Sequence, residues 1–196
     1  MLIDRLRRFT VPAALVGVLL IMIVTSVYGC FKTRAFRRPL VPNRLEIIGF
    51  YENGSGGALV SSSTSLRAHI EDIDTVVPFW ASVDANGNIA AVRSDRTILD
   101  FVHQNNRPAV ILLNNLKQPT TSTYAMIETP AARATTVKNL MSFVTLQGYD
   151  GVHIGFDLMP PAARAAFSAF TADLALALHS ENKILGVSVF PMLEQI

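Results

Sequence analysis

Three side chains able to move a proton stand close together in one stretch. They are Asp150, His153 and Asp157, within Gln147-Gly148-Tyr149-Asp150-Gly151-Val152-His153-Ile154-Gly155-Phe156-Asp157-Leu158-Met159-Pro160-Pro161. Carboxylic acids and imidazole are the usual general acids and bases. A metal site on the same trio is disfavoured, because three ligands so near each other on one strand rarely converge on one ion. A Ser/His/Asp hydrolase lacks its Gly-x-Ser-x-Gly elbow. No Gly-x-Gly-x-x-Gly and no Lys-bearing phosphate loop occurs, so nothing points to a nucleotide cofactor.

Such groups work only where a rigid element aims them. Val152, Ile154 and Phe156 alternate with Gly151, His153, Gly155 and Asp157, the period-2 pattern of a strand. Gly148 closes the preceding helix, and Pro160 and Pro161 open the next. A strand between two helices predicts a parallel α/β unit. Ligands in such folds bind at the carboxyl ends of the strands. Asp157 stands at that end and is the first candidate for chemistry.

Asp150-Gly151-x-x-x-Gly155-x-Asp157, following Gly148-Tyr149, resembles the fourth-strand signature Asp-x-x-Asp-x-Asp-x-Glu of family 18 glycoside hydrolases, the chitinase-like family. The likeness is to the bacterial cell-wall and spore-germination branch. It implies a (β/α)8 barrel, a glycan partner containing N-acetylglucosamine (peptidoglycan or chitin type) and no cofactor. It also implies that Asp157 stands where a glutamate protonates the glycosidic oxygen, while the substrate's own acetamido oxygen attacks. The chain departs from the pattern at three positions. Asp157 is one methylene shorter than Glu. Gly155 replaces the aspartate that orients the acetamido group, and His153, a candidate assisting group, replaces an Asp or Asn. Asp150 is retained. A misplacement of about 1 Å can cost about a hundredfold in rate. The expectation is a glycan-acting or glycan-binding protein with impaired activity, the alternatives being a non-catalytic glycan- or protein-binding pseudoenzyme or a truncated remnant.

The rest of the chain reads as repeated strand and helix. Leu45–Tyr51 is a first strand; the resemblance turns Tyr51 toward the sugar cleft, and the other reading packs it in the core or rim. Leu66, His69, Ile70 and Ile73 follow at helical spacing. Thr75–Val83 reads as a second strand, with Trp80 a candidate to stack on a sugar ring or to pack in the core. Asn86-Gly87 predicts a hairpin turn. Ser94 predicts the cap of a helix through Val102, and Pro108–Leu113 a buried parallel strand ending at Asn114 and Asn115. These amides, Asn114 first, are candidates to bond a sugar hydroxyl or, equally, to satisfy loop backbone. Lys117–Glu128 reads as polar loop. Thr129 with Pro130 starts a helix that Gly148 ends, and Ile184–Phe190 reads as a fifth strand.

Ahead of this domain, Val11–Gly29 carries no charged residue, and Arg5, Arg7 and Arg8 precede it. That pattern is a signal or membrane anchor. Ser26-Val27-Tyr28-Gly29-Cys30 looks like a bacterial lipobox, with Cys30, the only cysteine, as lipid site. A lone cysteine forms no internal disulfide. Lipidation, a retained helical anchor and cleaved secretion all fit. The expected layout is a signal or anchor over 1–29, a basic linker over 30–44 and an α/β domain over 45–196. Lys32, Arg34, Arg37, Arg38 and Arg44 would by charge alone hold the domain in the cytoplasm. The resemblance places it on the extracytoplasmic face of a bacterial envelope. The net charge is +2, and the basic residues cluster in the linker, which speaks against nucleic acid.

A full (β/α)8 TIM barrel takes about 250 residues, whereas Leu45 to Ile196 is 152. The fold expectation is thus a partial barrel of about five β/α units. A fragment, an open doubly wound sheet and a second chain completing the barrel are the alternatives.

Overall fold

The structure, a computed structural model, describes residues 45–54, 60–115, 120–157 and 159–189, without the side chains of 120–123. The anchor, the basic linker and Cys30 lie outside the described residues. Among the described residues, no helix is long and apolar enough to cross a membrane.

The chain opens with strand β1 (Ile48–Tyr51), helix α1 (Ser63–His69) and a 3-10 turn at Ile70–Asp72. Strands β2 (Thr75–Pro78), β3 (Ala81–Val83) and β4 (Ile89–Ala91) follow, then α2 (Arg96–Gln104) and β5 (Val110–Asn114). Next come α3 (Thr120–Glu128), α4 (Pro130–Gln147), β6 (Gly151–Gly155), a 3-10 turn at Pro161–Ala163, α5 (Arg164–Ser180) and β7 (Ile184–Val187). β1 pairs β2 in parallel, and a second sheet runs β4-β3-β5-β6-β7, parallel except at the β3–β4 hairpin. A parallel bridge between Val76 and Ala109 ties the two sheets. The parallel strands therefore stand side by side in chain order. A doubly wound sheet would reverse that order partway across. This one does not, so it is built like the wall of a barrel.

Among the described residues, helices cover one face. Val76, Ile111, Leu113, Val152 and Ile154 pack there against Leu140, Val144, Phe170, Leu174 and Leu178. Those last five side chains are fully buried, and each such burial stabilises by about 2 kcal/mol. The opposite, inner face holds a smaller cluster of Val77, Val110 and Leu112 with Phe79 and Ile184.

Local signals explain most element ends. Thr129 Oγ1 accepts from the Ala132 N–H at 3.1 Å, and Pro130 follows at the first helical position. Gly148 closes α4 at φ 80°, a left-handed conformation that glycine adopts without strain. The Asn86-Gly87 hairpin forms, with the Asp84 carboxylate accepting from the Asn86 and Asn88 N–H groups. Several expectations are corrected. The strand expected over Thr75–Val83 breaks after Pro78, which has no N–H to extend a ladder. Asp95, not Ser94, caps α2, its side chain accepting from Thr97 N and Ile98 N. The expected loop Lys117–Glu128 contains α3, which packs with α4 and α5 and buries Met126 and Ile127. The first strand begins at Ile48 rather than Leu45.

Candidate functional site

β6 is the central element, and alternation decides what each of its residues meets. Val152, Ile154 and Phe156 enter the covered core. His153 and Gly155 therefore face the inner side, and Asp157 lies two residues past the end of the strand at Gly155. Register then aligns two inner rows across the sheet. One runs Leu112–His153–Gly186, and the next, nearer the carboxyl ends, runs Ser82–Asn114–Gly155. Asp157 stands beyond that second row.

Asn115 fixes Asp157. Its Nδ2 donates to Asp157 O at 2.9 Å, and its Oδ1 accepts from Asp157 N at 2.9 Å. Asn115 is 3% exposed. Asp157 itself is half-buried, and among the described residues no hydrogen bond engages its carboxylate. At Gly155 an added Cβ would come within 3.0 Å of Leu112 Cδ1, the tip of a flexible side chain. The row therefore presents a hydroxyl, a carboxamide and a gap, with a carboxylate beyond. Hydroxyls, amides and carboxylates are the groups that bind sugar hydroxyls.

His153 lies deeper and is 7% exposed. Its ring meets Phe50 edge-on at 5.4 Å, and its Nε2 is 2.8 Å from Ser188 Oγ. A Cβ on Gly186 would lie 2.4 Å from its Nδ1, so the imidazole rests on that glycine. Burial holds the His153 pKa below the ordinary histidine value, which keeps the ring neutral at neutral pH. Four strand residues, about 13 Å, separate it from Asp157. The structure therefore does not join it to Asp157 as an assisting group. It is the floor of the site.

Asp150 sits at the other end of β6. Its Oδ2 accepts from His103 Nε2 at 2.8 Å and from the Ala109 N–H at 2.8 Å. Its main chain donates to Ala109 O and accepts from Ile184 N, both at 2.9 Å. The expectation that Asp150 shares the chemistry is corrected: it ties α2, β5 and β7 together, roughly 20 Å along the strand from Asp157.

Tyr51 and Trp80 take the core alternative rather than the cleft. Both are 2% exposed and lie in the covered core. Their rings meet edge-on at 5.5 Å, and Trp80 Nε1 donates to Asn53 Oδ1 at 2.7 Å. Burial pushes the Tyr51 phenol up, and the neighbouring Tyr149 phenol up to about 12. Neither ring faces the inner rows. Ser82 and Ser188 were missed as site residues, and Asn115 was read only as one of two strand-end amides. The signal for Asn115 was its place at the end of an apolar strand, next to Asn114. Cys30 lies outside the described residues. Among the described residues, no group of three His, Cys, Asp or Glu side chains could hold a metal ion.

No family model matches the chain. It is 28% identical over 129 residues to a protein named as a sporulation-specific glycosylase, YdhD of Bacillus subtilis (strain 168), covering 61% of this chain and 31% of that one. In structure it is similar to a class V chitinase from Pseudomonas fluorescens Pf-5, with TM-score 0.67, 22% identity, and 76% of this chain and 45% of that one covered. It is also similar to the spore cortex-lytic enzyme SleL of Bacillus megaterium QM B1551, with TM-score 0.65, 17% identity, and 76% and 36% covered. The chain thus spans between about a third and just under half the length of the proteins it matches. Its α/β fold is that of chitinase catalytic domains, and the resemblance read from the β6 motif holds.

Proposed function

We propose that this chain, built like the wall of a chitinase-like glycoside hydrolase, engages N-acetylglucosamine-containing glycans of the chitin or peptidoglycan type at the inner rows capped by Asp157. The observation that carries this reading is the placement of Asp157. It ends the central strand on the side where parallel α/β folds bind ligands, and its main chain is held from both sides by Asn115. In this reading the protein binds glycan and hydrolyses it poorly. Substrate-assisted cleavage needs an acid on the glycosidic oxygen and a group that orients the acetamido oxygen toward the anomeric carbon. Asp157 supplies the first on a short arm. Gly155 supplies nothing for the second. Asn114 and Ser82, on the adjacent strands, offer hydrogen bonds to sugar hydroxyls.

The reading extends to the chain's surroundings. The apolar stretch Val11–Gly29 or a lipid on Cys30 anchors the domain, which faces the extracytoplasmic side of a bacterial envelope, where such glycans are found. The basic residues from Lys32 to Arg44 lie between the two as a linker. The test is association of the full-length protein with chitopentaose and with purified peptidoglycan, alongside an assay of turnover. Binding to either that Asp157→Asn weakens, with turnover near background, supports the proposal. A folded protein that holds neither glycan ends it.

A further inference from the structure

We propose that Asn115 is the positioning residue of this site: its carboxamide sets the Asp157 main chain so that the Asp157 carboxylate, rather than a neighbouring side chain, meets the glycan. The inference rests on the glycan reading above. β5 ends at Asn114 and β6 at Gly155, and these two form the last rung between the strands. One step further the Asn115 side chain makes the rung, donating to Asp157 O and accepting from Asp157 N. A carboxamide is suited to this because it carries a donor and an acceptor on one planar group. Asn115 is 3% exposed, so water is a poor substitute, and its loss leaves main-chain groups without partners.

What the clamp decides is the face. Phe156 is held in the covered core, its ring 6.2 Å from that of Phe167 and 6.3 Å from that of Phe170. With Phe156 on that side and the Asp157 main chain paired as in a strand, the Asp157 side chain turns to the face of His153 and Gly155. Asn115 bonds only main-chain atoms of Asp157, both on the ligand side of the sheet's last rung. It acts on the ligand through Asp157.

A double-mutant cycle in the full-length protein tests this, read by affinity for chitopentaose. Asn115→Ala and Asp157→Asn are each expected to weaken binding about tenfold, and the double variant also about tenfold, since a contacting pair couples. Asp157→Asn leaves the main chain intact, so the clamp then has no carboxylate left to aim. A loss in the double variant equal to the product of the single losses overturns the proposal. Asn115→Asp keeps the size and the acceptor but loses the donor. It replaces Asn115→Ala in the cycle if the alanine variant fails to fold, and wild-type affinity in it likewise overturns the role. A wild-type protein that does not bind chitopentaose overturns the glycan reading and this role with it. Binding with a multiplicative cycle removes the role alone.

Discussion

The two ends of β6 each carry an aspartate and use it in opposite ways. At the amino end, Asp150 accepts from a histidine and a main-chain N–H and is largely enclosed. At the carboxyl end, it is the main chain of Asp157 that is bonded, and the half-buried carboxylate takes no part in those bonds. The glycines beside them differ in the same sense. A Cβ on Gly151 would lie 2.1 Å from Ile184 O, a main-chain atom that cannot move without parting β6 from β7. A Cβ on Gly155 would meet only the tip of Leu112, at 3.0 Å. One end is closed by packing, and the other has room. A carboxylate's position along the strand thus says more about its role than its presence in the motif.

The sharpest way to break this contrast is to remove each carboxylate in turn. Asp150→Ala leaves His103 and the Ala109 N–H without their shared acceptor. Leaving two enclosed donors unsatisfied costs about 2 kcal/mol each, which in a domain of this size lowers Tm by roughly 10 °C. Asp157→Ala should shift stability by no more than about 0.5 kcal/mol. Thermal melts of the two variants that coincide would erase the distinction between the ends. Next in size is the glycine pair. Gly151→Ala should cost about 3 kcal/mol and Gly155→Ala less than about 1 kcal/mol, since overpacking is severe only where nothing can yield. Denaturant unfolding of both variants checks the ratio.

Much of this contrast was legible in the residues, and the parts that were not share a cause. β6 could be read face by face because Gly, His, Gly and Asp fall on one side and Val, Ile and Phe on the other. The other parallel strands are apolar on both sides, as strands buried between two layers are. Their alternation is visible, but nothing in it marks which side is inner. Tyr51 and Trp80 were therefore left between cleft and core, when they lie under the helices, and Asn114 was preferred to Asn115 though each faces its own side. Capping was legible where a residue type is nearly obligatory, as at Thr129-Pro130 and Gly148. It misled at Ser94, because Asp95 beside it caps as well. α3 was invisible because Thr120–Tyr124 carries no apolar period. Its burial at Met126 and Ile127 comes from packing with α4 and α5, which no local pattern encodes.

A third prediction sharpens the contrast by restoring chemistry at the open end. Asp157→Glu with Gly155→Asp returns the two carboxylates that the family pattern places there. Because only the Leu112 tip opposes a side chain at 155, the double variant should fold. It should raise cleavage of chitopentaose at least about tenfold over wild type, part of the roughly hundredfold that a misplacement of about 1 Å can cost. Gly155→Asp alone should leave turnover near background, because the acid would remain short. A well-folded double variant with wild-type turnover would mean that the open end lacks more than these two groups.

The smallest effect belongs to His153, which lies between the two ends. Its pKa is lowered in the folded protein because burial disfavours the imidazolium. Above the ordinary histidine value of 6.5 both folded and unfolded chains hold this group neutral, and it contributes no pH dependence. Below 6.5 the unfolded chain takes up a proton that the folded chain resists. Stability therefore falls as pH drops from 6.5 toward the lowered folded value, and levels off beneath it. The wild-type Tm should decline over that window more steeply than that of His153→Gln, which keeps a polar group near Ser188 but cannot titrate. Parallel Tm curves for the two proteins would place the imidazole in contact with water, and the floor of the site would then be as open as its mouth.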